Sequence, residues 1–188
     1  MTIAGVVLAG GKSSRYGKPK MFELYEGKPL YEYSLDALRD NALQPLIIST
    51  NRDLFPNFQS LDVNFVIEEE KNHQGPLFAL HHILSSVPDA EWFFVLASDL
   101  PFMTSSFVKT MISFTENQYD AIVPVQSDRI QPLAALYHRR SIDQAEQLLQ
   151  HNKKSMQALL NKLNVRYVPF ANDQKELINI NSKEDWPQ

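Results

Sequence analysis

The strongest constraint on the fold lies at the start of the chain. Val6-Val7-Leu8-Ala9 is an apolar run that stops at Gly10-Gly11, and a polar loop follows to Lys20. Four of the chain's 18 lysines and arginines (Lys12, Arg15, Lys18 and Lys20) fall in that loop, although the 188 residues carry a net charge of -4. An apolar strand that feeds paired glycines lets backbone N–H groups approach an anion closely, because no Cβ intervenes. The neighbouring cations would neutralise a polyphosphate. Two familiar phosphate motifs do not fit. The P-loop needs G-x-x-x-x-G-K-S/T, whereas Gly11 and Gly17 have five residues between them and Pro19 follows Lys18. No glycines here are spaced as G-x-G-x-x-G.

The rest of the chain reads as alternating strands and helices. Apolar runs at Ile3 to Leu8, Leu46 to Thr50, Asn64 to Ile67 and Trp92 to Ala97 predict strands, followed by Tyr119 to Val125, Leu133 to Tyr137 and Val165 to Phe170. Helices are expected after Pro29, from Gly75-Pro76 to Val87, from Ser105 to Phe114, and after Ser141 and Ser155. Ser141 with Gln144 reads as a capping box. This order predicts an α/β, Rossmann-like three-layer nucleotide-binding fold with a mostly parallel central sheet, in a single domain over residues 1–188. In such sheets ligands bind beyond the carboxyl ends of the strands. Gly10-Gly11, Asn51, Glu69 and Asp99 each follow a strand and are therefore expected at one site.

Composition excludes several classes. With 44% apolar residues the chain can fill a core, and with no cysteine it has neither disulfides nor thiolate chemistry. No run approaches the roughly 20 apolar residues of a membrane span, and no signal peptide is readable. A cytoplasmic protein is expected, and the net acidity argues against nucleic acid or membrane as partners. The five histidines have no metal-ligand companions at suitable spacing.

Leu8 to Lys20 resembles the loop L-A-A/G-G-x-S/G-x-R-M/F-G-x-x-K of nucleotidyltransferases that activate sugars and cofactors. More narrowly it is similar to the molybdenum cofactor guanylyltransferases, with Tyr16 for the usual Met and Pro19 for the usual Asp. Ser98-Asp99-Leu100-Pro101-Phe102 matches a second motif of that family, and Asn179-Ile180-Asn181-Ser182-Lys183-Glu184-Asp185 a third. Gly75-Pro76-Leu77 opens a fourth, with Phe78-Ala79 where Ala-Gly is usual, and Arg129 to Tyr137 resembles a fifth.

The resemblance implies transfer of GMP from GTP to the Mo-molybdopterin cofactor with release of pyrophosphate. It implies that Leu8, Ala9, Gly10, Gly11, Lys20, Asn51, Glu69 and Asp99 bind the nucleotide, and that Arg15, Lys20 and Asp99 are catalytic. Asp99, Asn179 and Asn181 would hold Mg²⁺. Glu69 falls where many members have Asp, with Glu68 and Glu70 as alternatives on either side. Transient contact with molybdoenzymes or other cofactor-biosynthesis proteins is also implied. Related readings are a cytidylyltransferase, a sugar-phosphate nucleotidyltransferase, or a non-catalytic protein that delivers the cofactor. Guanine users mostly read LAGG where pyrimidine users read LAAG, so the absent methyl at Gly10 leaves room for a purine edge.

Overall fold

In the computed structural model, residues 1–11, 19–60, 62–69, 74–180 and 185–186 are described. The first strand, β1 (Ile3–Leu8), forms where apolar side chains can be buried on both faces, and it lies at the centre of the sheet. The chain continues through a short hairpin, β2 (Leu24–Tyr25) and β3 (Lys28–Pro29), into helix α1 (Leu30–Arg39) and strand β4 (Leu46–Asn51). Next come β5 (Asn64–Glu68), α2 (Pro76–Ser86), β6 (Trp92–Ala97) and α3 (Ser105–Ile112). β7 (Ala121–Gln126), β8 (Arg129–Ile130) and β9 (Ala134–His138) form the last meander, and α4 (Ile142–Gln150), α5 (Met156–Leu160) and β10 (Val165–Pro169) follow.

The main sheet runs in the order β10-β7-β9-β6-β1-β4-β5, with β8 paired to β7. β1 is parallel to both β4 and β6, β4 is parallel to β5, and β10 is parallel to β7. β9 alone among the long strands runs antiparallel, against β6 and β7. The α/β, mostly parallel architecture expected from the sequence is therefore present, with one reversed strand inserted. The reversal follows from connection length: only Ser127 to Leu133 join β7 to β9, too short for the crossover that parallel pairing requires.

Two apolar layers enclose the sheet. α1 and α3 cover one face through Leu35, Leu38, Phe107, Val108 and Met111, and α2, α4 and α5 cover the other through Leu77, Leu80, Leu84, Ala145 and Leu159. Every residue of β6 is buried, which explains why Trp92 to Ala97 is so uniformly apolar. Gly5 lets α1 approach: a Cβ there would stand 3.1 Å from Leu38 Cβ and 3.3 Å from Leu43 Cβ. Ser155 caps α5 by accepting from Ala158 N.

The expected capping box at Ser141 is not formed. A 3-10 turn over Arg139–Ser141 precedes α4 and puts Ser141 in helical conformation, so its hydroxyl donates to Asp120 O instead. Residues 177–180 form no strand. No helix among the described residues is long and apolar enough to cross a membrane.

Candidate nucleotide site

The first wall of the site is the turn that leaves β1. Leu8 O accepts from Ser98 N at 3.2 Å, and Ala9 N donates to Ser49 O at 2.8 Å, so the ladder continues one residue past the strand on each side. Beyond it the chain runs along the end of β4. Thr50 Oγ1 donates to Ala9 O at 2.9 Å, and Asn51 Nδ2 donates to Gly10 O at 3.2 Å. Asn51 Oδ1 also accepts from Asp53 N and Leu54 N, closing an Asx-type turn after β4. Gly10 is not held by backbone strain, since its φ lies outside the left-handed region.

The second wall is built on Asp99, which follows β6 by two residues and is only 8% exposed. Its carboxylate is clamped from two sides. Lys20 Nζ lies 2.5 Å from Oδ2, and Asn179 Nδ2 donates to Oδ1 at 2.8 Å. The backbone around Ile180 closes the arrangement: Ile180 N donates to Asp99 O at 3.0 Å, and Ile180 O accepts from Lys20 Nζ at 2.8 Å. The Ile180 side chain is fully buried against Leu30 at the start of α1, which anchors this segment over the strand ends. Three segments far apart in sequence thus converge on one carboxylate. The Lys20 ammonium already neutralises it, and as a hard oxygen donor this carboxylate could hold Mg²⁺ together with substrate phosphates only with the ammonium displaced.

The third wall is the end of β5. Successive residues there point to opposite sides. Glu69 turns outward and pairs with Arg52 at 2.5 Å, with both side chains largely exposed. Glu68 turns inward, with Oε1 4.0 Å from where a Cβ on Gly10 would stand. Burial pushes the Glu68 carboxyl above its ordinary value, because the charged form is poorly solvated there. The helix that follows starts at this same end of the sheet. Gly75 at φ 87° begins it, Ala79 is buried and Phe78 lies near His82.

The MobA-like NTP transferase domain matches residues 5–167 of this chain. A probable molybdenum cofactor guanylyltransferase from Geobacillus sp. (strain WCH70) is 33% identical over 189 residues, which cover 98% of this chain and 96% of that one. The chain belongs to the MobA-like nucleotidyltransferases. Its fold is shared with molybdopterin-guanine dinucleotide biosynthesis protein A from Archaeoglobus fulgidus, with a TM-score of 0.79, 23% identity, and coverage of 97% and 94%. A more distant likeness is 4-diphosphocytidyl-2C-methyl-D-erythritol synthase from Anaerococcus prevotii, with a TM-score of 0.75, 14% identity, and coverage of 98% and 94%.

For a MobA-like chain the expected residues divide clearly. Leu8, Ala9, Gly10, Gly11, Lys20, Asn51, Asp99 and Asn179 come together at the carboxyl ends of β1, β4 and β6. Glu69 stands beside this group with its side chain engaged by Arg52. Arg15 and Asn181 lie outside the described residues. Among the described residues no group of three or more His, Asp or Glu side chains is arranged to hold a metal. Thr50 and the Ile180 carbonyl carry no motif in the sequence, whereas Glu68 is one of the two alternatives to Glu69 that the resemblance leaves open. Thr50 had one available signal, its position as a polar residue near the end of a buried strand, next to Asn51.

Proposed function

We propose that this chain, as one nucleotidyltransferase domain, transfers GMP from GTP to the terminal phosphate of Mo-molybdopterin. The products are the guanine dinucleotide form of the cofactor and pyrophosphate. The observation that carries this reading is the Lys20–Asp99–Asn179 clamp facing the Gly10-Gly11 turn across the strand ends. An acceptor phosphate oxygen attacks the α-phosphorus of GTP. The bond to the β-phosphate oxygen breaks, and its electron pair leaves with pyrophosphate. The attacking phosphate is already ionised at neutral pH, so no general base is needed. Catalysis then depends on alignment and charge stabilisation.

In that reaction the Gly10-Gly11 backbone cradles the nucleotide. Lys20 and Arg15 balance the negative charge that builds on the triphosphate. Asp99 would hold Mg²⁺, with Asn179 and Asn181 beside it, and the ion would supply further charge neutralisation at the phosphates. Lys20 is positioned to pass from Asp99 to a phosphate, because its flexible stem ends 2.5 Å from the carboxylate that a bound cation would occupy. On the nucleotide's base side, Glu68 is the better-placed carboxylate of the 68–69 pair, since it faces Gly10. Use of the product by molybdoenzymes implies transient contact with them or with other cofactor-biosynthesis proteins.

The test is pyrophosphate release with each of the four NTPs and Mo-molybdopterin, with and without Mg²⁺. GTP is expected to be used best, and only with the divalent ion. Turnover with CTP but not GTP would sink the guanine assignment.

A further inference from the structure

Two consecutive side chains at the end of β4 treat the nucleotide turn alike. Thr50 is fully buried and its hydroxyl donates to Ala9 O, while Asn51 Nδ2 donates to the next carbonyl, Gly10 O. In a trans peptide the N–H points opposite to the C=O of the same unit. Fixing the Ala9 carbonyl toward β4 therefore turns the Gly10 N–H away from β4, and fixing the Gly10 carbonyl does the same for the Gly11 N–H. Asn51 is poorly placed to accept from a base, because Oδ1 already takes two backbone N–H groups, from Asp53 and Leu54.

We propose that Thr50 and Asn51 are positioning residues for the nucleotide, acting through the turn rather than on the ligand. Thr50 sets the Ala9–Gly10 peptide and Asn51 sets the Gly10–Gly11 peptide. Both N–H groups are thereby aimed at the nucleotide before it binds, which lowers the ordering cost of binding. This rests on the proposed function only in that a nucleotide binds at Gly10-Gly11; the identity of the base is not part of it.

The experiment measures equilibrium binding of each of the four NTPs by calorimetry, alongside pyrophosphate-release kinetics, on the full chain. Thr50→Val keeps the shape and removes the donor, and Thr50→Ser keeps the donor. For the nucleotide that the wild type binds best, Thr50→Val should raise Kd and KM about tenfold, the worth of roughly one buried hydrogen bond. The acceptor KM should hold, and Thr50→Ser should restore nucleotide affinity. A purely structural role would instead lower the active fraction, and so the apparent kcat, with Kd unchanged.

Asn51→Ser supplies a second measurement should Thr50→Val not fold. A serine hydroxyl still accepts from the following backbone N–H groups but is too short to reach Gly10 O, so Kd should again rise several-fold. Selection of CTP by the wild type would overturn the guanine reading, and positioning is then judged on CTP by the same criterion. Affinity within twofold of wild type in folded Thr50→Val, or no nucleotide binding by the wild type at all, overturns the positioning role.

Discussion

Gly10→Ala separates what the protein requires of this residue from what a ligand requires. The backbone tolerates the change, because the Gly10 φ is one that alanine adopts. The protein around it also tolerates the change. The new methyl would meet Thr50 Cα at 3.8 Å, with Thr50 C and Glu68 Oε1 at 4.0 Å, all ordinary van der Waals separations. Replacing glycine at a compatible position stabilises by about 0.4–1 kcal/mol through the unfolded state. The melting temperature should therefore hold or rise by roughly 2–4 °C. The nucleotide should not be indifferent. The methyl would stand beside Glu68, on the side proposed for the base, and forcing one extra methyl into a filled site costs about 1–3 kcal/mol. That corresponds to roughly 5- to 150-fold weaker GTP binding. A smaller pyrimidine should lose less, so the preference for GTP over CTP should narrow. Calorimetric titration of both nucleotides, with a thermal melt of the same sample, reads all three quantities. An unchanged Kd for GTP in a variant that melts normally would refute the argument that this glycine makes room for a purine.

Other substitutions address the remaining walls. Asp99→Asn keeps the shape but removes the charge that faces Lys20, so the melt should fall, and kcat of the folded fraction should drop by roughly 10²- to 10³-fold, as for loss of one transition-state electrostatic contact. A cofactor carrier would instead keep its delivery activity in Asp99→Asn. Glu68→Gln should raise the melting temperature at neutral pH, because a buried charge is removed, and should raise KM for GTP. Glu69→Gln, at an exposed ion pair, should change both little.

The far end of the sheet offers a pH test. Burial holds the His138 imidazole below its ordinary value, with the Arg140 charge adding to the effect against Glu91 and Asp120. The unfolded chain then takes up a proton near pH 6.5 that the folded chain does not. Stability should fall as pH drops below about 6.5. Melts between pH 5 and 7.5 should show a shallower slope in His138→Asn, whose amide oxygen can still accept from Arg140 N.

Local sequence was sufficient wherever a residue's role is set by its own neighbours. Ile3–Leu8 and Trp92–Ala97 are legible as buried strands because burial on both faces leaves no polar alternation, and both have the expected limits. Gly10-Gly11 ending an apolar run marked the turn proposed for the nucleotide, and Pro and Gly located the starts of α1 and α2. The reversed β9 was also within reach, since its connection length excludes a parallel crossover. The hairpin β2–β3 was missed because two-residue strands carry no periodicity. Ser141 misled because the capping pattern does not reveal that a 3-10 turn has already entered the helix. The resemblance alone does not choose between Glu68 and Glu69, because a shift of one residue at a strand end exchanges inside for outside.

The opening run and its glycines, taken with the alternation of strands and helices, were enough to determine an α/β chain and to point to one turn as its candidate phosphate loop, because those features act over a few residues. Only the tertiary structure decided which groups touch. Lys20 reaches Asp99 across 79 residues, and Asn179 reaches it across 80. Thr50 and Asn51 grip carbonyls 41 residues away. Such pairings depend on strand order and register, which follow from how two apolar layers close over one sheet. No spacing within a single segment encodes them.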